Sequence, residues 1–302
     1  MRTCYKIGVD GGGTKTECIL VDASGAIVAR HVAPGCNPSV VGPDQARRIV
    51  TDALGVLRAQ SPIPAPQSTI TNTHIYSAGN RTFWREVAGT LKGFGEVFTA
   101  DDSHPVLELA THGKPGIVLH GGTGSFVAAR APDGTIHYAG GVGWRFGDGG
   151  SGYDLGRRAI ALGLLELQGW APASRTGAIV RDHTELGETA DAAAVTRFFY
   201  YHADPNRQIA ALAPAILRLA SEHDPTAQQL VLDSTGELLA LAMRVATTLF
   251  PASALATLPA GLSGPILTHP FVVGILASRS PLSLVPVEGI PIEGVRRLLV
   301  RA

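Results

Sequence analysis

The chain has 302 residues, of which 45% are hydrophobic and 17% are charged. This balance describes a compact folded protein rather than a disordered chain, and the length favours two domains over one. Lysine plus arginine and aspartate plus glutamate each number 25, so we expect no nucleic-acid partner and no polybasic membrane anchor.

The cysteines and the apolar runs argue against several further classes of protein. All three cysteines lie within the first 36 residues and form no Cys-x-x-Cys pair, so we expect no disulfide framework and no zinc or iron–sulfur site. The apolar run at residues 238–249 contains Arg244 and is too short to span a membrane. Glycines 11–13 interrupt any signal-peptide pattern. We therefore expect a cytoplasmic protein without a membrane partner.

The first third of the chain predicts the element order βββαβαβ. The expected strands are residues 5–9, 16–22, 26–32, 69–77 and 95–100, the expected helices are 43–59 and 82–91, and a further helix is expected at 103–110. The proline-rich stretch 61–67 reads as a surface connection.

The middle of the chain repeats the opening order. Strands predicted at 116–120, 125–130 and 135–139 are again separated by a glycine turn and a tighter turn, which indicates an internal duplication of topology. Beyond residue 151 the pattern is mostly helical: the expected helices are 153–168, 190–202, 208–222 and 225–249, followed by loop and strand at 251–265 and a closing helix at 289–299. We place the domains at 1–104 and 105–302, with the last residues able to pack back on the first domain.

A glycine-rich turn occurs twice, each time directly after an apolar strand. The two stretches are Asp10-Gly11-Gly12-Gly13-Thr14-Lys15 and Gly121-Gly122-Thr123-Gly124-Ser125. Backbone N–H groups and threonine hydroxyls in such turns form a clamp for phosphate oxygens. Two such turns facing each other could hold a nucleoside triphosphate.

The residues that flank the first turn suggest how phosphate charge is balanced. Asp10 can hold a hydrated Mg²⁺ ion, which takes few protein ligands. The alternative, an Asx turn, is disfavoured by the glycines that follow. Lys15 is open to two interpretations, a cation beside the phosphates or a solvated lysine at a strand edge.

Two adjacent carboxylates follow the strand at 95–100. Strand ends are where open α/β sheets place their chemistry, and a kinase needs a base within reach of the acceptor hydroxyl. One of Asp101 and Asp102 could be that base, while the other could cap the next helix.

Polar residues in two further loops are candidates for holding an acceptor. Asn37 offers a donor and an acceptor, although a turn-forming asparagine before proline is an equal alternative. Gly147 and Asp148 open a glycine-rich loop whose amides and carboxylate could contact sugar hydroxyls. Ser151 belongs to that loop and could instead be the N-cap of the following helix.

Together these motifs resemble the N-acetylglucosamine kinase and activator-ATPase family of the actin-like sugar-kinase superfamily. Residues 8–16 and 122–125 are similar to the family's two phosphate loops, residues 147–152 to its substrate loop, and residues 262–264, including Gly264, to its adenosine-side loop. The resemblance implies an α/β fold with two ribonuclease-H-like lobes around a nucleotide cleft, the second lobe being rich in helices.

The resemblance also implies an activity. The implied protein is an ATP-dependent kinase that uses Mg²⁺ and phosphorylates a hydroxyl, expected to be the 6-hydroxyl, of N-acetylglucosamine or a related amino sugar. Asp102 matches the catalytic base, with Asp101 as the fallback, and Asn37 and Asp148 match amino-sugar contacts. A non-kinase ATPase module that signals to a protein partner and an inactive sugar sensor stay open as alternatives. Related proteins often pair through the helical lobe, which leaves a homodimer open.

Three positions depart from the family pattern. Gly149 stands where a glutamate is common, and Val142 stands where a tryptophan is common, although Trp144 follows. Both changes bear on which sugar is bound. Pro265 replaces a glycine on the adenosine side. No cysteine lies beyond Cys36, which argues against the activator branch because that branch bridges an iron–sulfur cluster.

Overall fold

The computed structural model describes residues 3–62 and 68–301, which divide into two compact units. Unit 1 comprises Met1–His112 and Glu288–Ala302, and unit 2 comprises Gly113–Val287. The boundary expected at residues 104/105 differs from this division, because it cuts a helix that runs to Thr111 and lies wholly in unit 1. The connection expected at 61–67 lies mostly outside the described residues.

Unit 1 is built on a five-stranded mixed sheet. Its strands are β1 (Thr3–Gly11), β2 (Lys15–Asp22), β3 (Ile27–Pro34), β4 (Ser68–Ser77) and β5 (Glu96–Ala100), and its first four helices are α1 (Pro38–Val41), α2 (Pro43–Ala59), α3 (Arg81–Thr90) and α4 (Ser103–Thr111). The strand order is β3-β2-β1-β4-β5. β1 to β3 form an antiparallel meander, whereas β1, β4 and β5 run parallel.

Unit 2 repeats this sheet with a larger set of helices. Its strands are β6 (Gly116–Gly121), β7 (Ser125–Arg130), β8 (Ile136–Gly140), β9 (Ala260–Ser263) and β10 (Leu284–Pro286). Its helices are α5 (Gly152–Leu167), α6 (Arg175–Thr184), α7 (Ala192–Tyr201), α8 (Pro205–Ala210), α9 (Ala213–Ser221), α10 (Pro225–Leu249), α11 (Gly264–Leu267) and α12 (Pro270–Arg279). The order β10-β9-β6-β7-β8, with β6 parallel to β9, has the topology of unit 1. The predicted duplication is confirmed.

The helices of the structure differ from the predicted ones at three places. The single helix expected at 208–222 is wrong: α8 ends at Ala210 and α9 begins at Ala213, because Pro214 is tolerated only in the first turn of a helix. Helix α6 is absent from the prediction because it buries few apolar side chains, although Ser174 caps its start. Helix α12 was missed as well.

The last helix, α13 (Pro291–Arg301), belongs to unit 1. Pro291 stands at its first position, where a missing N–H costs nothing. Its apolar stripe of Ile292, Val295 and Leu299 packs on side chains of β2 and β4. Among the described residues, we find no helix long and apolar enough to cross a membrane.

Candidate active site

The first phosphate loop is the tip of the β1–β2 hairpin, and it rests on the chain that follows β3. The N–H of Gly12 donates to the carbonyl of Lys15 at 2.9 Å and closes the turn. From below, the N–H of Cys36 donates to the Gly12 carbonyl at 3.0 Å, and that of Gly35 donates to the Thr14 carbonyl at 3.1 Å. Gly13 and Thr14 are exposed. The amide of Gly13 and the amide and hydroxyl of Thr14 therefore lie at the surface, on a loop that is held in place by these backbone hydrogen bonds.

Gly35 is a site residue whose role the sequence analysis missed. A Cβ at this position would collide with the backbone of Gly13 and would lie 2.8 Å from the nitrogen of Thr14. Only glycine allows the phosphate loop to sit this close. A glycine directly after the third strand of the meander was the available signal.

Asp10 lies opposite Glu17 in the β1–β2 pair, so the two side chains share a face of the sheet. Burial first, and then the charges of Asp102 and Glu17, raise the pKa of Asp10 to about 7. A divalent cation would relieve this repulsion, so the donor set fits Mg²⁺. In the part of the chain that the structure describes, no three His, Cys, Asp or Glu side chains gather to hold a metal ion.

Lys15 has a protein partner in the structure. Its Nζ donates to the buried carboxylate of Glu17 at 3.0 Å, and Arg30 pairs with the same carboxylate. The side chain of Lys15 remains exposed beside the loop. A role for it toward phosphate stays a prediction.

The two predicted carboxylates lie at the carboxyl end of β5, beside the ends of β4 and β1. The ladder pairs Gly11 with Ser77 and Tyr76 with Ala100, so all three parallel strands end at one edge. Asp102 is at the N-cap position of α4, but its side chain makes no capping hydrogen bond. Burial, followed by the charge of Asp101, raises the pKa of Asp102 to about 6.

Asp101 is engaged by three neighbours. Its carboxylate accepts hydrogen bonds from the Arg81 guanidinium and the Ser103 hydroxyl, and the Nδ1 atom of His104 lies 3.2 Å away. Burial opposes ionisation, but these hydrogen bonds and the charges of His104 and Arg81 outweigh it and hold the pKa of Asp101 well below its usual range. Of the two carboxylates, Asp102 is the one suited to accept a proton.

Asn37 is the N-cap of α1, as the turn interpretation expected. Its Oδ1 accepts a hydrogen bond from the Ser39 N–H at 3.0 Å. A Cβ on Gly79, in the loop after β4, would lie 3.0 Å from the same oxygen. The structure thus places Asn37 against the loop that follows β4, on the side of unit 1 where β4 ends.

The second phosphate loop is the tip of the β6–β7 hairpin. Backbone hydrogen bonds hold it against the start of α5, as they hold the first loop against the chain after β3. The N–H of Gly122 donates to the Gly124 carbonyl at 2.9 Å. The N–H groups of Gly152 and Tyr153 donate to the carbonyls of Gly122 and Thr123 at 2.8 and 3.2 Å. Thr123 is exposed at the tip. Each unit therefore supports a hairpin tip on the segment that follows its meander.

The loop at residues 147–151 lies beside this second tip. Asp148 is buried, its Oδ1 lies 3.5 Å from the N–H of Ser125, and burial raises its pKa to about 6. Gly147 has φ +143°, a backbone conformation that favours glycine. The hydroxyl of Ser151 caps α5 by accepting from the Asp154 N–H at 3.0 Å. Substrate contacts by this loop stay predictions.

The positions that depart from the family pattern lie in different parts of unit 2. A Cβ on Gly149 would lie 2.9 Å from the side chain of Glu237 on α10. Trp144 packs on Tyr153, with 5.7 Å between ring centroids. Gly264 has φ +83°, and a Cβ there would collide with the backbone of Gly121, so β9 ends directly against the second phosphate loop. Pro265 lies in the first turn of α11, where proline is tolerated.

The sequence profile of the BadF/BadG/BcrA/BcrD ATPase family matches residues 7–250, which is most of the chain. The chain belongs to this ATPase family. The match spans both phosphate loops, Asp101, Asp102 and the loop with Asp148. The family expected from the sequence is confirmed.

Relatives of this family member are named as kinases of amino sugars. An N-acetylmuramic acid/N-acetylglucosamine kinase from Clostridium acetobutylicum is 22% identical over 238 residues, which are 78% of this chain and 76% of that protein. An N-acetyl-D-glucosamine kinase from Dictyostelium discoideum is 26% identical over 248 residues, 77% of this chain and 76% of that protein.

A solved structure resembles the whole chain. A candidate N-acetylglucosamine kinase from Chromobacterium violaceum superposes with a TM-score of 0.77 at 29% identity, covering 98% of each chain. The predicted α/β fold class, with two lobes and a helix-rich second lobe, is confirmed.

Proposed function

We propose that this protein is an ATP-dependent sugar kinase that phosphorylates the 6-hydroxyl of N-acetylglucosamine or a related amino sugar. The observation that carries the proposal is Asp102, a carboxylate with no capping role, at the strand edge that also carries Asp10 and the first phosphate loop. The amino-sugar kinases among the relatives support the substrate class.

In the proposed reaction Asp102 accepts the proton of the acceptor hydroxyl. The hydroxyl oxygen bonds to the γ-phosphorus while the bond from that phosphorus to the β–γ bridging oxygen breaks, which leaves ADP and a sugar phosphate. In unit 1 the amide of Gly13 and the hydroxyl of Thr14 stabilise phosphate charge. The tip in unit 2 offers groups of the same kind, the amide of Gly124 and the hydroxyl of Thr123. Mg²⁺ bound at Asp10 through water would neutralise charge on the phosphates.

Each unit has a polar side chain with atoms that suit a sugar. Because the Asn37 oxygen caps α1, its amide nitrogen is the atom that donates to the acceptor. Asp148 accepts from a sugar hydroxyl, and Gly147 allows the close approach of its loop. Ser151 acts by holding that loop at the start of α5.

The test is a coupled assay of ADP release across N-acetylglucosamine, glucosamine, a muramic acid derivative and glucose. We expect one amino sugar to stimulate ADP release and ³¹P NMR to show a 6-phosphate, while the 6-deoxy analogue should give no product. Asp102→Asn should lower kcat about 10²- to 10⁴-fold and keep ATP-analogue binding by calorimetry. Asp52→Asn, an exposed aspartate on α2, is the control and should be unaffected.

Each contrary outcome has a distinct meaning. ADP release that no sugar stimulates would favour a partner-directed ATPase. Calorimetric sugar binding with no phosphorylated product would favour a sensor. Full activity in Asp102→Asn would reassign the base.

A further inference from the structure

One buried carboxylate joins the loop after β4 to the start of α4. Asp101 is 7% exposed and accepts from Arg81, the first residue of α3, and from Ser103, the first residue of α4. His104 lies 3.2 Å from the same carboxylate, and its ring packs on Tyr76 of β4 with 6.0 Å between centroids. The ends of β4 and β5 are thereby tied together through one side chain.

The tied segments carry different parts of the site. The loop after β4 is fixed to the first phosphate loop, because the N–H of Ala78 donates to the Gly11 carbonyl at 2.8 Å. The same loop contacts the acceptor side, since Gly79 lies against Asn37 and Pro38. The other segment, at the start of α4, carries Asp102 directly beside Asp101.

We propose that Arg81 and Asp101 are a positioning pair that sets the distance between the acceptor-binding segment and the base Asp102. The proposal rests on the proposed function. Arg81 contacts neither of the reacting groups assigned above. It acts through Asp101, whose oxygens are held by Arg81, Ser103 and His104 and which therefore does not serve as the base.

The exposure of the Arg81 side chain distinguishes a positioning role from a role in folding stability. The Arg81 side chain is 63% exposed, and an ion pair with one exposed partner contributes little to folding stability. Without Arg81, the Asp101 carboxylate keeps Ser103 and His104, so unit 1 should still fold. A displacement of about 1 Å at a reacting group can nevertheless cost about 10²-fold in rate. We therefore expect a catalytic defect in a stable protein.

The test compares Arg81→Ala, Arg81→Lys, Asp101→Asn and the double variant Arg81→Ala/Asp101→Asn with wild type. We expect Arg81→Ala to lower kcat with the preferred sugar about 10- to 100-fold, with little change in KM for ATP. Arg81→Lys should restore most of that loss, since the pair uses a single guanidinium nitrogen. The double variant should be no slower than the slower single variant, because both substitutions break one contact.

The matched control is Arg85→Ala. Arg85 is an exposed arginine on the same helix, and its guanidinium donates to the hydroxyl of the neighbouring Thr82. This control should behave as wild type, and the melting temperatures of Arg81→Ala, Arg81→Lys and Arg85→Ala should stay close to that of wild type. Wild-type kcat in Arg81→Ala, or fully additive losses in the double variant, would overturn the pair and leave the kinase assignment intact. Absence of sugar-dependent turnover in the wild type would overturn the proposed function and the pair with it.

Discussion

At the residue scale, the site depends on glycines that allow close backbone approach. Gly35 lets the first phosphate loop rest on the chain after β3, and Gly264 lets β9 end against the second phosphate loop. Gly13, by contrast, has nothing within 4 Å of the place where a Cβ would stand. Gly13 therefore leaves open space at the first tip, whereas Gly35 and Gly264 allow the support of the two tips.

The supporting role of Gly35 predicts a nucleotide-binding defect. In Gly35→Ala the new methyl group collides with Gly13, and relief of such overpacking costs about 1–3 kcal/mol. We expect the loop to shift and the calorimetric affinity for an ATP analogue to fall about tenfold or more. Gly55→Ala on α2, where a Cβ meets nothing within 4 Å, should leave the affinity unchanged. Equal affinities in the two variants would contradict the supporting role.

At the scale of elements, two helices determine where Asp101 and Asp102 lie. Helix α4 begins at these residues, and α13 packs along it, with Gly294 against the backbone of Pro105. On its other side α13 reaches β1, where Gly8 leaves room for Val295 and Leu299. Arg301 pairs with the buried carboxylate of Glu108 on α4 at 2.7 Å. The C-terminal helix thus supports the helix that begins next to Asp101 and Asp102.

The contact between α13 and α4 predicts that an alanine destabilises unit 1 at Gly294 but not at Gly89. In Gly294→Ala the methyl group would strike the Pro105 carbonyl, so α13 must move away from α4 at a cost of about 1–3 kcal/mol. Thermal unfolding should show a Tm lowered by roughly 2–10 °C. Gly89→Ala on α3 has open space around the new Cβ and should be neutral or stabilising, because alanine is the better helix former. A Tm for Gly294→Ala at or above that of Gly89→Ala would refute this packing.

At the scale of the whole molecule, the chain leaves unit 1 after His112 and returns to it at Glu288. The apolar stripe of α13 covers Ile19, Val21 and Tyr76, which are otherwise on an open face of the first sheet. Unit 2 has a core of its own, formed by one face of its sheet and the surrounding helices. The two cores should therefore respond differently to loss of the C-terminus.

A chain ending at Val287 tests this division. Burial of Ile292, Val295 and Leu299 contributes at most about 5–9 kcal/mol, which is comparable with the whole stability of a typical domain. Hydrogen exchange followed by mass spectrometry should show β1 and β2 losing protection in the shortened chain. Peptides from β6 and β7 are the internal control and should keep theirs. Uniform loss across both units, or none, would contradict the division.

The strands of both meanders, the two glycine turns, the family and the fold class could be predicted from the amino-acid sequence. These features are local: alternating or continuous apolar residues specify a strand, and a run of glycines directly after a strand predicts a turn. The helix predicted at 225–249 is also confirmed, because Asp224 and Pro225 mark its start.

The residues that support those tips, and the difference between Asp101 and Asp102, could not be predicted from the sequence. The sequence shows Asp101 and Asp102 as equivalent neighbours. They are distinguished by Arg81, which lies 20 positions earlier and meets Asp101 because β4 and β5 end at the same edge. Gly294 likewise meets Pro105 across most of the chain length. Such contacts join distant segments, and local periodicity carries no information about them.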